Sequence, residues 1–177
     1  MDRETNDLIA RQYLSEKNLS QVEPSEFAKW ANAQLEKGHD TPRLRSLAQG
    51  EAVSDIDARF RECISELGWE FPGRKSSLKR YSKSIMQSIV EGAIEPYDGC
   101  SQLYVNSIYL GHPDYLYNWN FLFWSMEDLD PQELNPMIME EAIRALGEKP
   151  AASTDSADAA DQAPLSFWDR VKELFGF

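Results

Sequence analysis

Apolar residues recur one helical turn apart along most of the chain, and proline and glycine punctuate the runs. Leu8, Ile9, Tyr13 and Leu14 predict an amphipathic helix over residues 6–17. Pro24 opens a second, carrying Phe27, Trp30, Ala31 and Leu35 and stopping at Gly38. Proline suits a first turn, where its missing N–H has no intrahelical role, and glycine suits the residue just past a helix end. Pro42 opens a short third helix through Leu44 and Leu47 to Gly50. Ser54 with Asp57 reads as a capping box before a fourth, with Ile56, Phe60, Ile64 and Leu67 as its stripe and Gly68 as its stop. Trp69 and Phe71 follow, and Pro72-Gly73 breaks the chain.

The second half repeats the order. Leu78, Tyr81, Ile85, Ile89 and Val90 predict a fifth helix ending at Gly92, and Pro96 starts a sixth through Leu103, Ile108 and Leu110 to Gly111. Pro113 starts the seventh and Pro131 the eighth, whose Leu134, Ile138, Ala142 and Leu146 lead to Gly147. Pro136 is expected to bend that helix or delay its start. Landmarks recur in register: Val22-Glu23-Pro24 with Ile94-Glu95-Pro96, Gly38-His39 with Gly111-His112, and Pro42 with Pro113. The stretch 62–68 matches 141–147 in the same way. The expectation is an all-α domain over residues 1–147, built from two tandem four-helix units, 5–68 and 76–147.

Residues 114–124, DYLYNWNFLFW, hold six of the chain's aromatic rings and are expected at the centre of the core, with part of the segment left exposed. The rings fall mostly at every second position, the period of a strand, while the matched PRLRSLA reads as a helix. We read 114–124 as a helix, with one strand as the alternative. Residues 148–163 contain no aromatic or branched aliphatic side chain and predict an acidic linker with a reach of about 20–25 Å. Beyond it, Phe167, Trp168, Val171, Leu174 and Phe175 gather on one side of an amphipathic helix over 164–177. These five are the expected partner-binding residues. The partner is a groove on another protein, the chain's own domain, or, less favoured, a membrane surface.

Charge narrows the function classes. The net charge is -12, and blocks 1–50, 51–100, 101–150 and 151–177 sum to -1, -2, -6 and -3. Such a chain repels nucleic acid and is steered toward basic partners. The one basic cluster, Arg74, Lys75, Lys79, Arg80 and Lys83, reads as a solvated helix face. Cys63 and Cys100 lack CxxC spacing and read as reduced, buried thiols. The charged N-terminus and the lack of a long apolar run lead to the expectation of a cytoplasmic protein.

Candidate chemistry is sparse. His39 and His112 each follow a helix-stopping glycine and read as caps. Glu127, Asp128, Asp130 and Glu133 depart from calcium-loop spacing and read as a solvated helix entry. Cys100 with His112 is the sole nucleophile-and-base pairing on offer, without a motif around either. No catalytic residue, metal or cofactor is expected. The run 81–116, with IVEGAIEPYDG at its entry and GHPDYL at its exit, resembles helical domains of small uncharacterised bacterial proteins. That resemblance implies an all-α fold, a bacterial cytosol and binding roles such as immunity to secreted toxins, and it transfers no functional residues. The expected function is therefore a non-catalytic protein–protein interaction module with a protein partner of basic character. An effector chaperone, a membrane adaptor and a Cys100/His112 hydrolase are the alternatives.

Overall fold

The computed structural model describes residues 1–50 and 55–147. Among the described residues there are eight α-helices and no strand. They are α1 Arg3–Ser15, α2 Pro24–Glu36, α3 Pro42–Ala48, α4 Ile56–Glu66, α5 Arg74–Val90, α6 Pro96–Leu110, α7 Tyr117–Trp124 and α8 Pro131–Leu146. Short 3-10 turns, Asp114–Leu116 and Ser125–Glu127, flank α7. The aromatic segment is thus helical, and the strand alternative falls away. The linker and helix expected over 148–177, and Ser54 as a capping residue, lie outside the described residues.

The chain divides into two compact units, Met1–Ser84 and Ile85–Phe177. The division falls inside α5, not in the connection after Gly68, because the early turns of α5 are bound to α1. Asn6 Nδ2 donates to the Ser77 carbonyl at 3.3 Å, and the Arg3 guanidinium donates to the Ser84 carbonyl at 2.8 Å. Pro24 and Pro96 open α2 and α6, and Gly68 and Gly147, both at positive φ, follow α4 and α8.

The first unit is built around α4, which packs on α2 and α3. Phe60, fully buried, meets Trp30 edge-on with ring centroids 4.7 Å apart and Phe27 at 5.3 Å. The Trp30 indole N–H is buried with them and donates to Thr5 Oγ1 at 2.9 Å, which ties α2 to α1. Four caps fix helix starts by the same chemistry, a side-chain oxygen accepting an orphan N–H. Asp2 takes the Thr5 N–H, Thr41 that of Leu44, Asp55 that of Ala58, and Asp130 that of Gln132. Asp2 explains why α1 begins three residues before its apolar stripe predicts.

Asp2 also accepts from Lys37 Nζ at 2.7 Å and from Gln34 at 3.2 Å. Partial burial works to raise its carboxyl, and the bonds from Lys37, Thr5 and Gln34 outweigh that, holding it below the ordinary carboxylate range. A lowered folded-state value means the contribution is fully present above the unfolded value near 3.8 and is lost as the pH falls below it. Asp2→Ala should therefore lose about 1 kcal/mol at neutral pH. In urea titrations the gap between variant and wild type should close as the pH is taken well below 3.8. A gap unchanged in acid would contradict the ionised-cap account.

In the second unit α6 packs on α7 and α8. Trp119, Leu116 and Leu122 are fully buried, with Cys100 and Leu103 of α6 and Leu134, Ile138 and Ala142 of α8. Glu141 is buried too. It accepts from Asn118 Nδ2 at 3.0 Å and from two Arg144 nitrogens at 2.7 and 2.6 Å, so the carboxylate is compensated. Pro136 sits in the second turn of α8 without ending it.

Candidate functional site

The five residues expected to bind a partner, Phe167, Trp168, Val171, Leu174 and Phe175, lie outside the described residues. Among the described residues, the feature that calls for a partner is a face of the second unit made by α6 and α7. Tyr97, Ser101, Tyr104 and Ile108 stand at i, i+4, i+7 and i+11 along one side of α6, while Cys100, Leu103 and Ser107 on the other side are buried. The Tyr104 ring stacks on Phe123 with centroids 3.9 Å apart and planes 6° from parallel. Trp124 stands edge-on to both, at 5.9 and 6.1 Å, and 58% of it is exposed. Tyr117, one heptad before Trp124 on α7, is 66% exposed.

Local sequence explains this face. The eight residues of α7 are apolar or aromatic nearly all round, YNWNFLFW, and the neighbouring helices bury only Trp119 and Leu122 completely. The remaining rings have nowhere to go but the surface. The segment lies in the core with part of it exposed, as expected: its aliphatic residues and Trp119 are inside, Phe121 and Phe123 are half-buried, and Tyr115, Tyr117 and Trp124 are exposed. Among the described residues, five of the seven exposed large apolar side chains, Tyr97, Ile108, Tyr115, Tyr117 and Trp124, fall within residues 97–124.

The electrostatics of the two units differ completely. Residues 1–84 carry fourteen acidic and fourteen basic side chains and are neutral overall. Much of that charge is paired, as in Arg11 with Glu26, Arg43 with Glu62 and Glu66, Arg45 with Asp40, and Arg74 with Glu16. Residues 85–147 carry ten carboxylates and one basic side chain, Arg144, which is held by Glu141. Exposed Asp98 adjoins Tyr97, and exposed Glu127 and Asp128 follow Trp124. The aromatic face and the excess acid therefore belong to the same unit. The basic cluster 74–83 lies on the part of α5 that belongs to the neutral unit.

Other candidates fare differently. A groove of about 640 Å³ in the first unit is lined by Arg3, Glu4, Asp7, Arg11, Glu26 and Lys29. Its charges answer one another: Arg11 forks onto Glu26, and Arg3 lies 3.8 Å from Asp7. Burial raises the Asp7 carboxyl against the pull of Ser84 and Arg3. Of the acidic cluster, Asp130 caps α8 and Glu133 sits in its first turn. Among the described residues no group of three histidines, cysteines or carboxylates is placed to hold a metal ion.

Cys100 and His112 are not brought together. The thiol is in the second turn of α6, 3.8 Å from the Trp119 carbonyl, whereas His112 follows the end of the helix, roughly 15 Å farther along its axis, with Nδ1 at 3.4 Å from Ser107 Oγ. His39 meets Trp69 edge-on at 5.3 Å. Each histidine sits at a helix end, its N–H donating to the carbonyl of Gln34 or Ser107. Burial pushes the Cys63 thiol up to about 11 and the Cys100 thiol up to about 12. Iodoacetamide at pH 8 should leave both unmodified in the native protein and alkylate both in urea, as read by mass spectrometry. Native-state labelling of Cys100 would contradict its enclosure.

With this geometry in hand, comparison with known proteins gives no match: no family model, no curated protein and no solved structure. The likeness to bacterial helical domains rests on helix punctuation alone. No helix among the described residues is long and apolar enough to cross a membrane.

Proposed function

We propose that this chain is a non-catalytic interaction module whose acidic second unit holds a basic protein partner, as an immunity protein holds a toxin. The observation that carries the reading is the partition of charge. Over residues 85–147 ten carboxylates stand against one arginine, itself held by Glu141, and over the whole unit sixteen acidic side chains stand against four basic ones, an excess that repels itself. A cationic surface laid against them relieves it, and the exposed rings supply the apolar contact that a field alone does not.

Affinity capture at low salt, followed by elution with rising salt, tests the reading. The expected result is a protein of high isoelectric point, released by salt and not retained by an Asp98→Lys, Glu127→Lys, Asp128→Lys variant. Capture of no basic protein, or retention indifferent to the three reversals, would remove the proposal.

A further inference from the structure

We propose that the ring cluster Tyr104, Phe123 and Trp124 is the anchor point for a cationic amphipathic helix of the partner. That helix lays apolar side chains along Tyr97, Tyr104 and Ile108 and sets an arginine or lysine over the Trp124 indole, with Glu127 and Asp128 three and four residues farther along the chain and Asp98 beside Tyr97. The inference rests on the basic-partner reading and adds to it the place and the form of the contact.

Three observations converge on this occupant. The first is the length of the α6 stripe: from Tyr97 to Ile108 it runs eleven residues, about 16 Å, which three turns of a second helix cover. With no strand among the described residues, the surface offers no sheet edge for an extended peptide to join. The second is the state of the rings. Tyr104 and Phe123 are locked face to face and brace Trp124 from the side, so a large indole is held out in fixed orientation with 58% of its surface open. A rigid, exposed aromatic loses little freedom on binding and is the commonest kind of interface anchor.

The third is charge. An indole face flanked in sequence by Glu127 and Asp128 favours a guanidinium or ammonium, which the ring attracts from above and the carboxylates from the side. The same charge argues against the chain's own C-terminal segment as occupant. Residues 148–177 hold six acidic side chains against three basic, so seating them on this unit adds like charge to like. A separate cationic chain meets no such opposition.

The test uses the full-length protein and two fluorescein-labelled synthetic 14-residue helices, one of leucine and arginine, the other with glutamate in place of arginine. Fluorescence anisotropy should show binding of the arginine helix alone. Trp124→Ala and, separately, Ile108→Asp should each weaken it at least ten-fold. Trp124 is 58% and Ile108 42% exposed, and neither belongs to the buried core, so circular dichroism should report an intact fold. Leu19→Asp, at an exposed apolar position of the first unit, should leave binding unchanged.

If the Asp98, Glu127 and Asp128 reversals weaken binding while Trp124→Ala and Ile108→Asp do not, the ring anchor is wrong and the basic-partner reading stands. If the arginine helix does not bind although a basic protein is captured, the helical occupant is wrong. If neither is bound, both readings fall. Binding that appears only after residues 164–177 are deleted would make this chain's own C-terminal segment the occupant and overturn the proposal.

Discussion

Phe60→Ala should cost the protein about 3–5 kcal/mol, a large fraction of the about 5–15 kcal/mol that holds an ordinary domain together. Phe60 is fully buried at the meeting of α4 with α2, and its ring is the common neighbour of Phe27 at 5.3 Å, Trp30 at 4.7 Å and Phe71 at 6.5 Å. Truncation removes transfer energy and leaves a void that three rings on one helix and a connecting segment cannot close together. Phe60→Leu keeps most of the volume and should lose less than half as much. Urea titration followed by circular dichroism measures both. A loss under 1 kcal/mol for Phe60→Ala would show that the first unit is not organised around this ring.

Gly99→Val should be the second most damaging change, at about 1–3 kcal/mol. Gly99 is in the first turn and a half of α6, where glycine is a poor helix former, and helix propensity alone predicts that almost any residue improves it. Packing decides otherwise. A Cβ at Gly99 would lie 2.5 Å from Ile89 Cγ1 and 2.6 Å from Cδ1, on a side chain that is itself fully buried. Displacing a β-branched, enclosed residue means moving α5 or α6, which outweighs the few tenths of a kcal/mol recovered from propensity. Thermal melts of Gly99→Val, Ile89→Ala and the double variant give the coupling. Partial rescue in the double variant is expected, and strict additivity would place the strain elsewhere.

Helix starts were legible at Pro24, Pro42, Pro96 and Pro131, because proline restricts the backbone locally, whereas Pro113, expected to start the seventh helix, opens only the 3-10 turn Asp114–Leu116 and α7 begins at Tyr117. Starts set by tertiary contact were not. The first turn of α5, Arg74 to Ser77, has no apolar period, and α1 binds it through Asn6 and Ser77. The start of α4 shows a finer miss: Asp55, one residue past the serine that fits a capping-box pattern, takes the Ala58 N–H. In residues 114–124 the helix was legible from length and context, whereas the exposure of Trp124 was not. An eight-residue helix apolar on every side does not say which side its neighbours will cover.

The charge partition was present in the sequence and hidden by where it was divided. Blocks of fifty mix the basic start of α5 with the acidic α6, and the block 51–100 sums to only -2. Divided at Ser84, the same residues separate into a neutral unit and an acidic one. The dividing line lies within an uninterrupted helix, where composition gives no sign of it.

In both units the helices that pack most closely are neighbours along the chain: α2 with α3, α3 with α4, α6 with α7. Short loops between touching elements lose little chain entropy on closure, so such topologies cross their folding barrier in microseconds to milliseconds. On rapid dilution from urea, chains whose Xaa-Pro bonds are all trans should therefore refold within the dead time of manual mixing. A chain that reaches its native packing so quickly spends little time with the rings of residues 114–124 unprotected, the interval in which a sequence this aromatic is most prone to aggregate.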